Sequence, residues 1–206
     1  MVPDIFERRA FLQSIFAVSA LPGASHRFLS HSDGDTGSLQ SDRTTQADRA
    51  FVVGPGASRP GKGIAIRGTM ISVKVSGDDN GGGFVLFEVP ASPLSGPPLH
   101  VHHIEDEWFH VLEGQLKVQI GSRLFTLEQG ASAYLPRRVP HAWQTVGQQP
   151  ARFLSLAQPA GRLEAYMVAL SALVRQGAPD AASMKALFEK YEMEMIGPPL
   201  QDDGRA

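Results

Sequence analysis

Short apolar segments separated by glycine, proline and asparagine fill the chain from Phe51 to about residue 160. Residues 70–75 alternate apolar and polar side chains, which is typical of a strand with one exposed face. Glycine-rich turns are expected at 77–83, 113–114 and 121–122. Many short strands at this regular spacing predict an all-β fold, either a β-sandwich or a jelly-roll barrel.

We expect strands at about 64–66, 70–75, 84–89, 99–103, 107–112, 115–120, 123–127, 132–135, 142–146 and 151–157. After Pro159 the apolar period changes from two to that of a helix, which predicts two C-terminal α-helices. Their apolar stripes are Leu163, Tyr166, Met167, Leu170, Leu173 and Val174, then Met184, Leu187, Phe188 and Tyr191. Since these stripes are simply apolar, we expect packing on the barrel exterior or on a partner subunit rather than a lid over a site.

The N-terminus has the features of an export signal. Arg8-Arg9 precedes Phe11-Leu12-Gln13, as in a twin-arginine signal, and the apolar run 14–21 follows. That run is shorter than the about 20 residues that span a bilayer. We therefore expect export to the periplasm and no stable membrane insertion after cleavage. An amphipathic N-terminal helix is the alternative.

Composition divides the chain into four segments. Residues 1–24 are the expected signal peptide, and 25–50 form a polar linker too poor in apolar residues to order itself. Residues 51–160 are the expected barrel, and 161–206 a helical extension. The length of 206 residues suits one such folded domain.

Charge and cysteine content limit which ligands the chain can bind and which side chains can bind a metal. The net charge is −2 with no basic block, so nucleic-acid binding has no electrostatic support. The chain has no cysteine, which leaves histidine and carboxylate as metal ligands. Five of the seven histidines lie between positions 100 and 141.

Three side chains in this region form a candidate metal-ligand set. His100 and His102 are two apart on a predicted strand, so they point to the same face, and Glu107 follows. His141 comes later, after a proline-containing turn. His103 points away from its neighbours by strand alternation, so we expect it not to be a ligand. Glu105 is the alternative to Glu107 as the carboxylate ligand.

Both stretches resemble the two motifs of the cupin superfamily. The first motif is Gly, five residues, His-x-His, three or four residues, Glu, six residues and Gly. Glu107 and Gly114 match its spacing, while Gly96 is two residues too close. The spacing to Gly114 favours Glu107 over Glu105.

The second motif is Gly, five residues, Pro-x-Gly, two residues, His, three residues and Asn. Gly130, Pro136 and His141 match it, while Arg138 replaces the Gly and Thr145 the Asn. The resemblance covers about 64–157 and implies a single cupin jelly-roll barrel. It also implies one divalent ion (Fe, Mn, Ni, Co, Cu or Zn) on four ligands: His100, His102, Glu107 and His141.

The Pro-Pro-x-His-x-His start of this site, Pro97 to His102, resembles quercetinase-like cupins. That resemblance implies a dioxygenase for an aromatic or enol-type small molecule, with Glu107 as ligand and catalytic base. It also implies a homodimer paired through barrel strands. Two alternatives stay open: a non-catalytic metal- or ligand-binding module, and a metal-dependent isomerase.

Strand alternation suggests which other residues line the site. Phe109 and Val111 share the face of Glu107, and Trp143 is a further candidate. A second wall is expected from Phe84, Leu86 and Glu88. Arg137 and Arg138 are candidates for contact with an anionic substrate, although solvated loop residues are the more common case.

Overall fold

A computed structural model of the chain describes residues 49–201. The predicted signal segment, 1–24, and all but the last two residues of the predicted linker lie outside the described residues, as do 202–206. Within the described part, neither helix is both long and apolar enough to cross a membrane.

Eleven strands and two helices make up the described domain. The strands are β1 (Ile64–Ile66), β2 (Thr69–Val75), β3 (Val85–Ala91), β4 (Pro98–His102), β5 (Asp106–Glu113), β6 (Leu116–Ile120), β7 (Arg123–Leu127), β8 (Ser132–Leu135), β9 (His141–Thr145), β10 (Ala151–Gln158) and β11 (Met193–Pro199). The helices are α1 (Leu163–Arg175) and α2 (Ala181–Lys190). The predicted strands and the two predicted helices are confirmed within a few residues at each end.

The strands form two antiparallel sheets. One has the order β1-β2-β3-β10-β5-β8, and the other has the order β11-β4-β9-β6-β7. Non-sequential neighbours such as β5 and β10 mark the crossovers of a jelly roll. The all-β fold with two C-terminal helices is therefore confirmed.

The core lies between the inward faces of the sheets. On β3 the inward residues are Val85, Phe87 and Val89, which are 0%, 1% and 7% exposed. The predicted lining by Phe84, Leu86 and Glu88 has the wrong phase, because Glu88 instead forms ion pairs with Lys74 and Arg152. A one-residue error in a strand's phase exchanges its two faces.

The predicted extension over 161–206 also contains a strand that was not predicted. Strand β11 pairs with β4, so that Met193 lies opposite His102 and Met195 opposite His100. It occupies the edge of the sheet. Proline lacks a backbone N–H, and it is tolerated at an edge because no further strand has to accept a hydrogen bond there. As a result β4 is an internal strand, held on both sides.

Helix α1 contacts β1, and α2 contacts β11. Asp180 caps α2, accepting a hydrogen bond from the Ser183 N–H at 2.7 Å. Phe188 of α2 and Tyr166 of α1 are buried in the main core cluster. The rings of these two residues contact each other, with centroids 5.2 Å apart.

Candidate metal centre

Strands β4, β5 and β9 bring the four predicted ligands together. His100 and His102 point inward from alternate positions of β4, and His141 lies opposite His100 on β9. Glu107 comes from β5 in the facing sheet. One ligand atom from each side chain lies within 4.8 Å of the others, and all four side chains are buried.

The contacts inside the cluster are close. The Nε2 atoms of His100 and His102 are 3.2 Å apart. The Nε2 atom of His141 lies 3.1 Å from Oε2 of Glu107, and that of His102 lies 3.7 Å from the same oxygen. The donor atoms therefore face one common point rather than separate partners.

The outer nitrogen of each ring has an acceptor of its own. Nδ1 of His100 is 2.8 Å from the Pro98 carbonyl oxygen, and Nδ1 of His141 is 3.0 Å from that of Val139. Nδ1 of His102 is 3.2 Å from Oε2 of Glu105. Since carbonyl and carboxylate oxygens only accept, each ring donates from Nδ1 to its outer acceptor, and a ring in its neutral form then directs an Nε2 lone pair inward.

Three inward lone pairs and one carboxylate repel one another unless a cation lies between them. Imidazole nitrogen with carboxylate oxygen suits divalent first-row metals, so the residues present fit a metal ion. The Nδ1 contacts are the outer hydrogen bonds that ligating histidines need to fix their tautomer and orientation. The cluster is therefore a candidate metal site.

The electrostatics of the cluster favour this assignment. Burial, followed by the neighbouring His141 and His102, lowers the pKa of His100 well below its ordinary value. Burial opposes ionisation of Glu107, but His102 and the hydrogen bond with His141 outweigh it and lower its pKa to about 2. A neutral imidazole and an ionised carboxylate are the forms that bind metal.

His102 behaves differently from His100. Burial disfavours its protonated form, but the charge of Glu107 and the hydrogen bond with Glu105 outweigh burial and raise its pKa. Without metal, His102, which has two carboxylates beside it, therefore holds a proton more readily than His100 does.

Aromatic side chains surround the cluster. The ring of Phe188 lies 5.4 Å from that of His100, edge to face. Tyr166 lies behind Phe188, and burial together with the charge of Glu107 raises the pKa of its hydroxyl. The two helices thus reach the site, which corrects the expectation that they pack only on the barrel exterior.

The residues predicted to line the site belong to the buried core or pack against it, and their contact with a bound ion or substrate stays a prediction. Phe109 and Val111, on the same face of β5 as Glu107, are 1% and 0% exposed. Trp143 packs against the core through Phe153, with ring centroids 4.9 Å apart.

The competitors of the predicted ligands lie outside the cluster. His103 is half exposed, and its Nε2 is 4.0 Å from a carboxylate oxygen of Glu194. Glu105 is buried, but its carboxylate contacts the outer nitrogen of His102. The supporting role of Glu105 was not predicted, because its only sequence signal, a carboxylate three residues after His102, also suits a ligand.

The two arginines in the second motif, Arg137 and Arg138, form hydrogen bonds within the protein. Arg137 forms a two-point ion pair with Asp106, with contacts of 3.0 and 2.8 Å, and lowers the pKa of that carboxyl to about 2. The backbone N–H of Arg138 donates a hydrogen bond to the His102 carbonyl oxygen at 2.8 Å. The ion pair of Arg137 favours the loop interpretation of that residue over contact with an anionic substrate.

The departures from the second motif are accommodated without a contact to the side chain of a candidate ligand. Arg138, at the glycine position, has a φ of 64°, in the left-handed region where glycine is at ease. The Thr145 hydroxyl donates to the Ser92 carbonyl oxygen at 2.9 Å and supports the loop before β4. Gly96 in that loop is required, because a Cβ there would lie 1.9 Å from the Trp143 carbonyl oxygen.

Comparison with known proteins agrees with this architecture. The family model for the Cupin domain matches residues 85–157. An uncharacterized protein of Methanocaldococcus jannaschii is 28% identical over 61 residues, which are 30% of this chain and 49% of that protein. The chain thus spans about half the length of this curated relative.

Solved structures are also similar. KdgF from Halomonas sp. is 14% identical with a TM-score of 0.44, over 53% of this chain and 93% of that one. The polyketide cyclase RemF from Streptomyces resistomycificus is 30% identical with a TM-score of 0.41, over 47% and 72%. The family match, the two sheets and the motif residues together show that the chain is similar to the cupin superfamily over residues 85–157.

Proposed function

We propose that this chain is a metal-dependent cupin enzyme, a quercetinase-like dioxygenase that acts on an aromatic or enol-type small molecule. The observation that supports it best is the convergence of three Nε2 lone pairs and the Glu107 carboxylate on one point. Four protein ligands leave one or two positions on a five- or six-coordinate ion for a substrate or dioxygen.

The chain's own residues have distinct roles in this proposal. His100, His102 and His141 bind the ion through Nε2, and Glu107 binds it through its carboxylate. A redox-active divalent ion held there supplies Lewis acidity and electron transfer. The Ser155 hydroxyl donates to Oε1 of Glu107 at 3.4 Å and helps to orient it.

Glu107 is better suited to be a ligand than a base. Its pKa of about 2 keeps it ionised at neutral pH but makes it a weak proton acceptor. We therefore assign ligation as its main role. The dioxygenase would in addition need Glu107 to accept the substrate hydroxyl proton, for which Oε1, the oxygen that Ser155 contacts, is the atom directed away from the histidines.

The surroundings support an apolar substrate. Phe109 and Val111 are buried on the same strand as Glu107, and the Phe188 ring directly contacts His100. Small-molecule sites are mostly apolar with a few polar groups that fix orientation. A flavonol, which combines aromatic rings with an enolic hydroxyl, is the test substrate that matches this chemistry.

A non-catalytic metal-binding module is the second candidate. It is favoured by the burial of the ligands, since His102 and His141 are each only 1% exposed. In that case the ion would cross-link the two sheets. A metal-dependent isomerase is a weaker alternative, which rests on the resemblance to cupins alone.

Oxygen uptake separates these candidates. Full-length protein loaded with Fe²⁺, Mn²⁺, Co²⁺, Ni²⁺ or Cu²⁺ should consume oxygen with quercetin, and a metal-loaded Glu107→Gln variant should lose at least about 100-fold of that rate. His103→Ala is the control and should match wild type. Bound metal with no oxygen uptake for any ion would contradict the dioxygenase and favour the binding module.

We also propose export through the twin-arginine route and assembly as a homodimer, both on sequence alone. The Arg8→Lys, Arg9→Lys double variant should accumulate in the cytoplasm, while wild type appears in the periplasmic fraction. Light scattering of the purified, uncleaved full-length protein should give twice its chain mass of 22.2 kDa. An unchanged periplasmic fraction, or a monomer mass, would contradict the respective proposal.

A further inference from the structure

Glu105 connects a candidate metal ligand to the start of a helix. It lies in the turn between β4 and β5, and its side chain is 1% exposed. One carboxylate oxygen, Oε2, is 3.2 Å from Nδ1 of His102. The other, Oε1, accepts a hydrogen bond from the Arg162 N–H at 2.8 Å. Arg162 is the residue that precedes α1.

A buried carboxylate is costly unless hydrogen bonds compensate it. Glu105 has two such partners, and the helix N-terminus adds favourable electrostatics for a negative charge. Arg162 makes no side-chain cap of its own, and the carboxylate binds the backbone N–H of Arg162 at the start of the helix. The carboxylate is therefore stably held in an otherwise unfavourable position.

The packing leaves this carboxylate little freedom. A Cβ on Gly161 would lie 2.0 Å from Oε1 of Glu105, and Gly161 has a φ of 53°. Any residue other than glycine at 161 would therefore strain the backbone and displace the carboxylate. The Gly161–Arg162 backbone and Glu105 fit together as one unit.

His102 differs from the other two imidazoles in what holds its outer nitrogen. His100 and His141 use the carbonyls of Pro98 and Val139, which no side-chain substitution removes. His102 uses the Glu105 side chain. It is thus the one ring of the three whose tautomer depends on a replaceable group.

We propose that Glu105 is a positioning residue that holds His102 in the tautomer able to bind a metal and ties that ring to the N-terminus of α1. This inference rests on the proposed metal site. It adds to that site a buried group that does not itself touch the ion.

The Glu105→Gln substitution tests it by reversing one hydrogen bond. The Arg162 N–H needs an acceptor, so the glutamine oxygen faces Arg162 and its NH₂ group faces Nδ1 of His102. Nδ1 must then accept, and the ring proton moves to Nε2, which points into the cluster. We expect Co²⁺ affinity to fall by about 10- to 100-fold.

The Glu105→Ala substitution provides a second, discriminating variant. It removes the acceptor without supplying a donor, so water can still hold His102 in the correct tautomer. Glu105→Ala should therefore lose less Co²⁺ affinity than Glu105→Gln. A role in packing alone predicts the opposite order, since glutamine keeps the shape of glutamate and alanine leaves a cavity.

Co²⁺ titration calorimetry of the full chain, with the visible spectrum of bound Co²⁺, measures both variants. Glu194→Gln, beside the half-exposed His103, is the matched control and should bind like wild type. Tight binding by Glu105→Gln, or weaker binding by Glu105→Ala than by Glu105→Gln, would overturn the inference. Failure of wild type to bind Co²⁺ would instead overturn the proposed metal site.

Discussion

The Nε2 atoms of His100 and His102 lie 3.2 Å apart, while the Nδ1 atom of each ring contacts an oxygen that can only accept. Two lone pairs therefore face each other at hydrogen-bond distance in a buried site. A proton on one ring relieves this repulsion partly, and a metal ion relieves it fully. This pair is the clearest physical sign that the cluster is built for a cation.

Phe188 should control access to the site, because its ring covers His100. The Phe188→Leu variant should still fold, with unfolding free energy lower by about 1–3 kcal/mol. Its bound metal should be removed by a chelator several-fold faster than from wild type. Met184 lies on the same helix and is not aromatic. The Met184→Leu variant should leave the rate of metal removal by the chelator unchanged. Equal rates for both variants would contradict the covering role of Phe188.

Glu88 should make stability depend on pH. Burial opposes its ionisation, but hydrogen bonds from Lys74 and Arg152 outweigh burial and lower its pKa below the ordinary 4.5. Its contribution is therefore present above pH 4.5 and lost as the pH falls through the lowered value. Glu88→Gln should lower the unfolding free energy by about 2 kcal/mol at pH 7 and by less at pH 3.

Urea unfolding at the two pH values measures this difference. Glu113, the exposed second partner of Arg152, provides the control. Glu113→Gln should cost less than about 1 kcal/mol at pH 7, as is usual for surface pairs. A loss for Glu88→Gln that is as large at pH 3 as at pH 7 would mean that its ionised form does not stabilise the fold.

Arg138 should be replaceable with a gain in stability. It has a φ of 64° at the position where the cupin motif has glycine. Arg138→Gly should raise the unfolding free energy by about 0.5–1 kcal/mol, because glycine adopts this conformation without strain. Arg137→Gly, at the neighbouring residue, should lower stability through loss of the Asp106 ion pair. Thermal unfolding distinguishes the two, and a lower melting temperature for Arg138→Gly would refute the strain argument.

Strand alternation and the resemblance to the two cupin motifs were sufficient to select the four candidate ligands. His100 and His102 share a strand face by simple alternation, and the motif spacing selected Glu107 over Glu105 and located His141. The structure brings these four side chains together. Their binding of a metal stays a prediction.

Features that depend on distant packing could not be predicted in this way. Strand β11 has only a brief alternation at Met193–Met195 before Gly197 and two prolines, so no strand was predicted there. Phe188 belongs to an apolar helical stripe, and only the tertiary fold places it against His100. The phase of β3 was misassigned because both of its faces carry apolar residues.

The most direct test of the central claim compares two adjacent histidines. His102 is buried in the cluster, and His103 is half exposed and lies outside it. Metal analysis of the purified full chain, loaded with Co²⁺ and desalted, should find near one ion per chain in wild type and in His103→Ala. His102→Ala should retain only a small fraction of it while its circular dichroism shows a folded β protein. Equal metal content in the His102→Ala and wild-type proteins would contradict the site.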